Sequence, residues 1–226
     1  GTADNDPFPK QGAGVLDDKG WSHGTHVAGI LAAVTNNDDG IASSVFNGKI
    51  LSVKSSRENG EDINEPSIHD GYNGIIYAAK AGYYAGARTI INCSWGGVGY
   101  IESEQSVINV AYNTYGAIIV VAAGNGKDTD GDGEGDETEY EAHYPSSLDN
   151  VISVAAVKCN LSTVTWPFTY HQTVDLSAPG HQVYSTIIGN KYKKSNGSSS
   201  ASPNAASVIG LVWSFFPEWS NEAVVE

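Results

Sequence analysis

The sequence holds few of the residues that mark disulfide-rich, nucleic-acid-binding or membrane-spanning proteins. It has two cysteines, no methionine, and 12 basic against 26 acidic residues. Cys93 and Cys159 are too few for a disulfide-dense secreted scaffold and fall on separate predicted strands, so we do not expect a disulfide between them. The formal net charge of -14 argues against nucleic acid or an anionic membrane surface as a partner, because like charges repel.

Long apolar runs are also missing. No run approaches the roughly 20 residues that a bilayer-spanning helix needs, so no membrane span is predicted. Residues 1–12 are polar and carry proline and glycine, unlike a signal peptide, which we expect to have been removed if one existed. With 226 residues and 40% hydrophobic content, the chain can bury one sizeable core, which predicts a single domain over residues 1–226.

From His23 onward, short runs rich in Ile and Val alternate with segments of helical period. Strands are predicted over residues 50–53, 89–93, 117–123 and 151–157. Helices are predicted after His23, over residues 69–81 and 103–115, from about residue 201, and over residues 220–226. Runs that are apolar on both faces suit parallel strands buried beneath helices, so the predicted fold class is α/β with a mainly parallel sheet.

Three segments place polar side chains where an active site can form. Ser22–Gly29 puts the imidazole of His23 at a helix start among small residues. In Ala122–Gly126, a predicted strand ends in the side-chain amide of Asn125. Asn196–Pro203 puts hydroxyls at another helix start, where backbone N–H groups and the positive helix end suit an oxyanion.

In the order His, Asn, Ser, these segments resemble the subtilisin-like serine peptidases, whose marks are similar to H-G-T-H-V-A-G, A-A-G-N and G-T-S-M-A-S-P. Further similarity lies in Ile50–Lys54, Ile91–Gly97, Tyr144–Pro145, Val151–Ala156 and Ser177–Gly180. The resemblance covers about residues 17 to 226. It implies a three-layer subtilisin-like fold, with helices on both faces of the sheet, and we expect the domain to be truncated at its N-terminal strand and at its C-terminus.

The resemblance also implies roles for single residues of a serine endopeptidase. His23 would be the general base, Ser199 the nucleophile and Asn125 the oxyanion donor. The polypeptide substrate would lie against Ser94, Trp95, Gly96, Ala122, Ala123 and Gly124. Trp95 stands where the family often has a smaller aliphatic residue, which predicts an altered side-chain preference. Other implied features are binding of the protein's own propeptide and a secreted or extracytoplasmic location.

One family feature is not found in the sequence. The family places an aspartate in an Asp-Thr-Gly or Asp-Ser-Gly turn tens of residues before the histidine, and the 22 residues before His23 hold no such turn. Asp17 and Asp18 resemble only the loop acids that precede H-G-T-H. We expect the aspartate to lie in polypeptide outside this sequence and the chain alone to have little activity, since an unoriented imidazole loses about 10⁴ in turnover. The alternative is a catalytically inactive binding module.

Residues 127–143 form an acidic segment that we interpret as an inserted loop. Its carboxylates match the Asp-x-Asp-x-Asp-Gly-x5-Glu calcium pattern at Asp128, Asp130, Asp132, Glu134, Asp136 and Glu139. The pattern predicts a structural Ca²⁺ ion, because clustered carboxylates repel one another unless a cation compensates them. Neither flank predicts the helix of an EF-hand, so a merely solvated loop stays open, as does a calcium-dependent structural domain without activity.

Overall fold

The computed structural model describes residues 22–56, 68–126, 142–158 and 171–226. Its helices are α1 (His23–Ala32), α2 (Gly71–Tyr84), α3 (Glu102–Asn109), α4 (Ser198–Phe215) and α5 (Asn221–Val225), and a π-helical turn, Val110–Thr114, continues α3. Its strands are β1 (Ile90–Cys93), β2 (Gly97–Val98), β3 (Ile118–Ala122), β4 (His143–Tyr144), β5 (Ile152–Val157), β6 (Leu176–Pro179), β7 (Val183–Ile187) and β8 (Lys191–Ser195).

The centre of the fold is a parallel sheet with the strand order β1-β3-β5-β6. Ile91 pairs with Ile119 across the first two strands, and Val121 pairs with Ser153 across the next two. Two small antiparallel pairs, β2–β4 and β7–β8, stand beside the sheet. The mainly parallel sheet predicted from the sequence is confirmed.

Successive side chains of β3 pack on opposite faces of the sheet, as the two-residue period of a strand requires. Ile119 and Val121 pack in one apolar cluster with residues of α2 and α3. Ile118 and Val120 pack in a second cluster with residues of α4. Helices therefore cover both faces, and the predicted three-layer arrangement is confirmed.

The predicted helices all form, with ends shifted by a few residues. α1 begins at His23, as expected from the segment's small residues and apolar period. The second helix occupies Gly71–Tyr84 instead of residues 69–81, and α4 begins at Ser198 instead of near residue 201. The earlier start of α4 matters, because it brings the whole serine run into the helix's first turn.

One predicted strand is wrong. No strand forms at residues 50–53, and Ile50 and Leu51 are each about half exposed. A strand needs a hydrogen-bonded neighbour, and the described residues supply only one isolated bridge nearby, between Ser56 and Ile68. Conversely, the hairpin β7–β8 was not predicted, although Gly189-Asn190, both at positive φ, is a typical hairpin turn pair.

Candidate active site

The first turn of α4 leaves one of three consecutive serines partly exposed in an open pocket. Ser198 and Ser200 are buried, with 1% and 2% of their surface exposed, whereas Ser199 is partly exposed and lines the pocket. Gly197 allows the sharp entry into the helix, since its φ is +117°, and its N–H donates to the carbonyl of Gly180 at 2.8 Å. Ser199 therefore lies at the positive end of a long helix.

Asn125 is held beside that helix start through its side-chain oxygen. Oδ1 accepts hydrogen bonds from the backbone N–H of Ser198 at 2.7 Å and from its hydroxyl at 2.9 Å. The Ser198 hydroxyl in turn accepts from the N–H of Gly124 at 3.1 Å. Because a backbone N–H can only donate, the accepting atom must be the amide oxygen. These bonds therefore engage only the oxygen of the amide, and they do not involve its donor group, Nδ2.

Asn125 and Ser199 share a pocket of about 270 Å³. Its lining is Trp95, Gly96, Ala122, Gly124, Asn125, Gly126, His143, Ser198 and Ser199. Two of the predicted substrate-binding residues, Ser94 and Ala123, lie behind this lining and are buried. Ser94 supports the site from there, because its hydroxyl donates to the carbonyl of Ser199 at 2.8 Å.

Trp95 lines the pocket with an indole whose position is set by α2. Its ring meets Tyr72 edge to face, with centroids 5.6 Å apart and planes at 84°. A Cβ added at Gly71 would lie 2.6 Å from Cζ2 of the indole, so the helix start needs a glycine there. The large side chain predicted to alter substrate preference is thus held in place by packing.

His23 lies at the first residue of α1, which packs against α4 and β7. The buried His26 of the same helix anchors it, as Nε2 lies 3.2 Å from the carbonyl of Val183 and 3.1 Å from that of Lys193. These contacts give His26 a structural role in holding α1 against β7 and β8. No metal cluster including the two histidines forms among the described residues.

The ring of His23 is exposed at the surface, yet the surrounding protein atoms reduce its hydration. This desolvation lowers the pKa of His23, and the neighbouring His26 lowers it further. No carboxylate of the described residues acts on it. In the described part of the chain, the Ser199 hydroxyl donates to the carbonyl of Ser94 at 3.3 Å, and no hydrogen bond joins it to His23. The structure thus brings Ser199 and Asn125 together in one pocket, whose described lining does not include His23.

His143 is a pocket residue that sequence reasoning missed. It is the last residue of the acidic segment 127–143 and directly precedes Tyr144–Pro145, which is similar to the family. Its position next to a segment that is similar to the family is the signal by which the sequence could have identified it as a site residue. Nothing in the residue types around it predicts that its side chain faces the same pocket as Ser199.

Comparison with known proteins identifies the family to which this geometry belongs. The family model described as the subtilase family matches residues 3–226. The chain belongs to the subtilase family. It is 38% identical over 191 residues to the thermophilic serine proteinase of Bacillus sp. (strain AK1), covering 84% of the chain and 42% of that protein. It is 36% identical over 209 residues to thermitase of Thermoactinomyces vulgaris, covering 92% of the chain and 64% of thermitase.

Solved subtilase-like structures agree with the fold. The S41 psychrophilic protease superposes with a TM-score of 0.75 at 26% identity, covering 90% of this chain and 67% of that one. Sphericase gives a TM-score of 0.75 at 27% identity with the same coverage. The chain thus has a subtilisin-like α/β fold. It spans 42% of the length of the Bacillus proteinase and 64% of the length of thermitase.

Several predictions for this subtilase fall on residues that the structure does not describe. Cys159 and the six acidic residues of the calcium pattern all lie outside the described ranges. Within those ranges, no group of three or more His, Cys, Asp or Glu side chains is placed to hold a metal ion. In the same part of the chain, no helix is long and apolar enough to cross a membrane. The Ca²⁺ site therefore stays a prediction.

Proposed function

We propose that this subtilase acts as a serine endopeptidase with Ser199 as its nucleophile. The observation that carries the proposal is the shared pocket of Ser199 and Asn125 at the start of α4. A hydroxyl, a side-chain amide donor and a helix N-terminus meet there, and acyl transfer can use them as nucleophile and oxyanion donors. The peptidases among the relatives support the same chemistry.

In the acylation step, Ser199 Oγ attacks the scissile carbonyl carbon and forms a C–O bond. His23 takes the hydroxyl proton as general base and then gives it to the leaving amine as the C–N bond breaks. A water molecule, deprotonated by the same imidazole, then attacks the acyl carbon, and the C–O bond to Ser199 breaks as the imidazole returns the proton to Oγ. This route requires the Ser199 hydroxyl to give up its hydrogen bond to the Ser94 carbonyl and to donate to His23 instead.

Charge develops on the carbonyl oxygen while the C–O bond forms. The Nδ2 group of Asn125 and the backbone N–H groups at the start of α4 would donate to that oxygen. Since Oδ1 of Asn125 is tied to Ser198 at 2.7 Å and 2.9 Å, the amide is oriented before the substrate arrives. Such preorganised donors stabilise the transition state without reorganisation at the moment of reaction.

A fluorophosphonate probe tests this assignment in the full-length gene product. We expect labelling to fall on the peptide that contains Ser199 and to disappear in Ser199→Ala. Ser200→Ala is the matched control, because its neighbouring hydroxyl is buried and should not react. Labelling of Ser198 or Ser200, or none in a folded sample, would sink the proposal.

A noncatalytic binding module is the second candidate. It is favoured by the hydrogen bond from Ser199 to Ser94 and by the lack of any described carboxylate acting on His23. Such a module would bind extended peptides through the same pocket but would resist the fluorophosphonate. An aspartate in an Asp-Thr-Gly or Asp-Ser-Gly turn of the full gene would favour the peptidase instead.

Polypeptides are the proposed substrates, and the protein's own propeptide is a proposed partner. We also propose a secreted or extracytoplasmic location, which the extracellular protease of Xanthomonas campestris pv. campestris supports at 33% identity over 228 residues. Mass spectrometry of the mature protein recovered from culture medium tests the location. It also reveals whether a propeptide remains bound.

A further inference from the structure

Asn125 is followed by a glycine, and an Asn-Gly pair has a reactivity of its own. The backbone nitrogen of the glycine can attack the carbon of the preceding side-chain amide, because a glycine has no Cβ to hinder the approach. The sequence contains such pairs at Asn47, Asn59, Asn73, Asn125 and Asn196. Asn59 lies outside the described residues, and of the other four only Asn125 lines the candidate active site.

In two of these pairs, a backbone hydrogen bond holds the nitrogen that would attack. The Gly74 N–H, which follows Asn73 in α2, donates to the Asp70 carbonyl at 2.9 Å. The Gly197 N–H, which follows Asn196, donates to the Gly180 carbonyl at 2.8 Å. Each of these bonds must break before the nitrogen can react, so both pairs are protected.

The pair at Asn125 is in a different environment. Asn125 is exposed, so water and hydroxide can reach its amide, and both residues of the pair lie outside the helices and strands. The amide nevertheless has a fixed position against the start of α4. A Cβ added at Gly197 would lie 2.8 Å from Oδ1 and 3.1 Å from Nδ2 of Asn125, so the glycine there makes room for the amide.

The hydrogen bonds to Asn125 polarise its side-chain amide. Oδ1 accepts from the N–H of Ser198 at 2.7 Å and from its hydroxyl at 2.9 Å. When a nucleophile attacks Cγ, negative charge collects on Oδ1, as it does on any carbonyl oxygen under attack. Ser198 is the first residue of α4, so its two donors and the positive end of the helix stabilise that charge.

We propose that Asn125 is a site of spontaneous deamidation. The Gly126 nitrogen loses its proton to hydroxide and attacks Cγ of Asn125, and the new C–N bond closes a five-membered succinimide ring. Nδ2 takes up a proton and leaves as ammonia. Water then adds to one of the two ring carbonyl carbons, the bond from that carbon to the glycine nitrogen breaks, and the nitrogen regains its proton. Opening at Cγ gives aspartate, and opening at the main-chain carbonyl gives isoaspartate.

Either product lacks the donor group that the oxyanion needs. A carboxylate oxygen replaces Nδ2 and places a negative charge beside the developing negative charge of the substrate. This consequence rests on the proposed peptidase function, whereas the deamidation itself does not. A peptidase with this pair would lose activity as it ages, even without cleavage of its chain.

Mass spectrometry of the full-length gene product tests the modification directly. The protein carries Ser199→Ala to prevent self-digestion, and this change leaves the reaction intact because the nucleophile is the Gly126 nitrogen. After incubation between about pH 7 and 9, we expect the peptide of Asn125 to convert faster than those of Asn47, Asn73 and Asn196. The rate should rise about tenfold for each pH unit, because the deprotonated fraction of the attacking nitrogen rises by that factor.

Ser198→Ala tests whether the donors to Oδ1 promote the reaction. Loss of the hydroxyl should slow the conversion of Asn125 by about tenfold, the range of one hydrogen bond to a charged oxygen, and leave Asn47 unchanged. Ser200→Ala is the matched control, because this buried hydroxyl is not among the groups that contact Oδ1. Gly126→Ala, which places a Cβ beside the attacking nitrogen, should also slow the conversion. Circular dichroism checks that each variant is folded.

Conversion of Asn125 no faster than that of Asn196 would overturn the proposal, as would equal rates in Ser198→Ala and its parent. With native Ser199, the rate of fluorophosphonate labelling should fall in step with the loss of the Asn125 amide. Deamidation with unchanged labelling would support the modification and refute the role of Asn125 as oxyanion donor. Deamidation in a folded protein that is never labelled would support the modification and overturn the peptidase assignment.

Discussion

At the scale of single residues, the proposed chemistry depends most clearly on the orientation of one amide. Asn125→Asp keeps the oxygen that Ser198 contacts but replaces the Nδ2 donor with a negatively charged oxygen. We expect kcat to fall by about 10² to 10³ or more with little change in the urea midpoint. A loss of about 10² to 10³ is the one measured on removing an oxyanion-hole amide in subtilisin, a member of this family.

Ser198→Ala is the companion variant for Asn125. It removes the hydroxyl that bridges Oδ1 and the Gly124 N–H but leaves the backbone bond to Oδ1 in place. We expect a smaller loss of kcat than in Asn125→Asp, because the donor is still present and partly oriented. Equal losses in the two variants would show that Asn125 serves only as a structural support.

At the scale of elements, α4 joins the site to the core. Trp213 of α4 is 2% exposed, its Nε1 donates to the Trp219 carbonyl at 3.0 Å, and the Arg88 guanidinium lies 5.6 Å from its ring centre. We expect Trp213→Ala to lower the free energy of unfolding by about 3 to 5 kcal/mol, the usual cost of deleting a buried aromatic side chain.

Urea unfolding monitored by circular dichroism measures that cost. Phe215→Ala is the matched control on the same helix, since Phe215 is 73% exposed and its loss should change stability by less than about 1 kcal/mol. A loss at Phe215 as large as that at Trp213 would show that the exposed end of α4 is covered by something other than water.

The acidic segment, residues 127–143, leads to a separate prediction about Ca²⁺ binding and thermal stability. If its carboxylates bind Ca²⁺, the melting temperature should rise with added Ca²⁺, because a ligand that binds only the folded state stabilises it. Asp130→Asn with Asp132→Asn should abolish the shift, and Glu61→Gln, an acidic residue outside the segment, should preserve it. A shift that persists in the double variant would place the ion elsewhere.

The elements also show where sequence patterns are reliable. Strand β3 was predicted from its run of Ile and Val, because burial on both faces leaves the same apolar signature wherever the strand lies. Residues 50–53 carry a similar run but form no strand, since pairing depends on a neighbour that local sequence does not reveal. The hairpin β7–β8 is mostly polar and half-exposed, so its pattern was weak.

At the scale of the whole molecule, the lowered pKa values of three histidines allow a prediction of how the free energy of unfolding depends on pH. Desolvation lowers the pKa values of His23, His26 and His143 below 6.5. Between those lowered values and 6.5, the unfolded chain binds more protons than the folded one. The stability from keeping these rings neutral is therefore complete above pH 6.5 and is lost as the pH falls through the folded pKa values.

We expect the urea midpoint to decrease between pH 7.5 and 5.5, when measured at high salt to screen the net charge of -14. His26→Gln should reduce the slope of this decrease, because one of the three titrating rings is then gone. A midpoint that rises toward pH 5.5 at high salt, or an unchanged slope in His26→Gln, would contradict the prediction.

The sequence by itself determined the α/β class, the helix starts that carry His23 and Ser199, the strand end at Asn125 and the resemblance to the subtilases. Those features are local, because they depend on side-chain period and on neighbours within a few positions. Only the tertiary structure decided that Ser199 alone of the three serines is partly exposed in the pocket, that the Asn125 oxygen points to Ser198 and that His143 lies in the pocket wall. These depend on contacts between residues tens of positions apart, which no local pattern records.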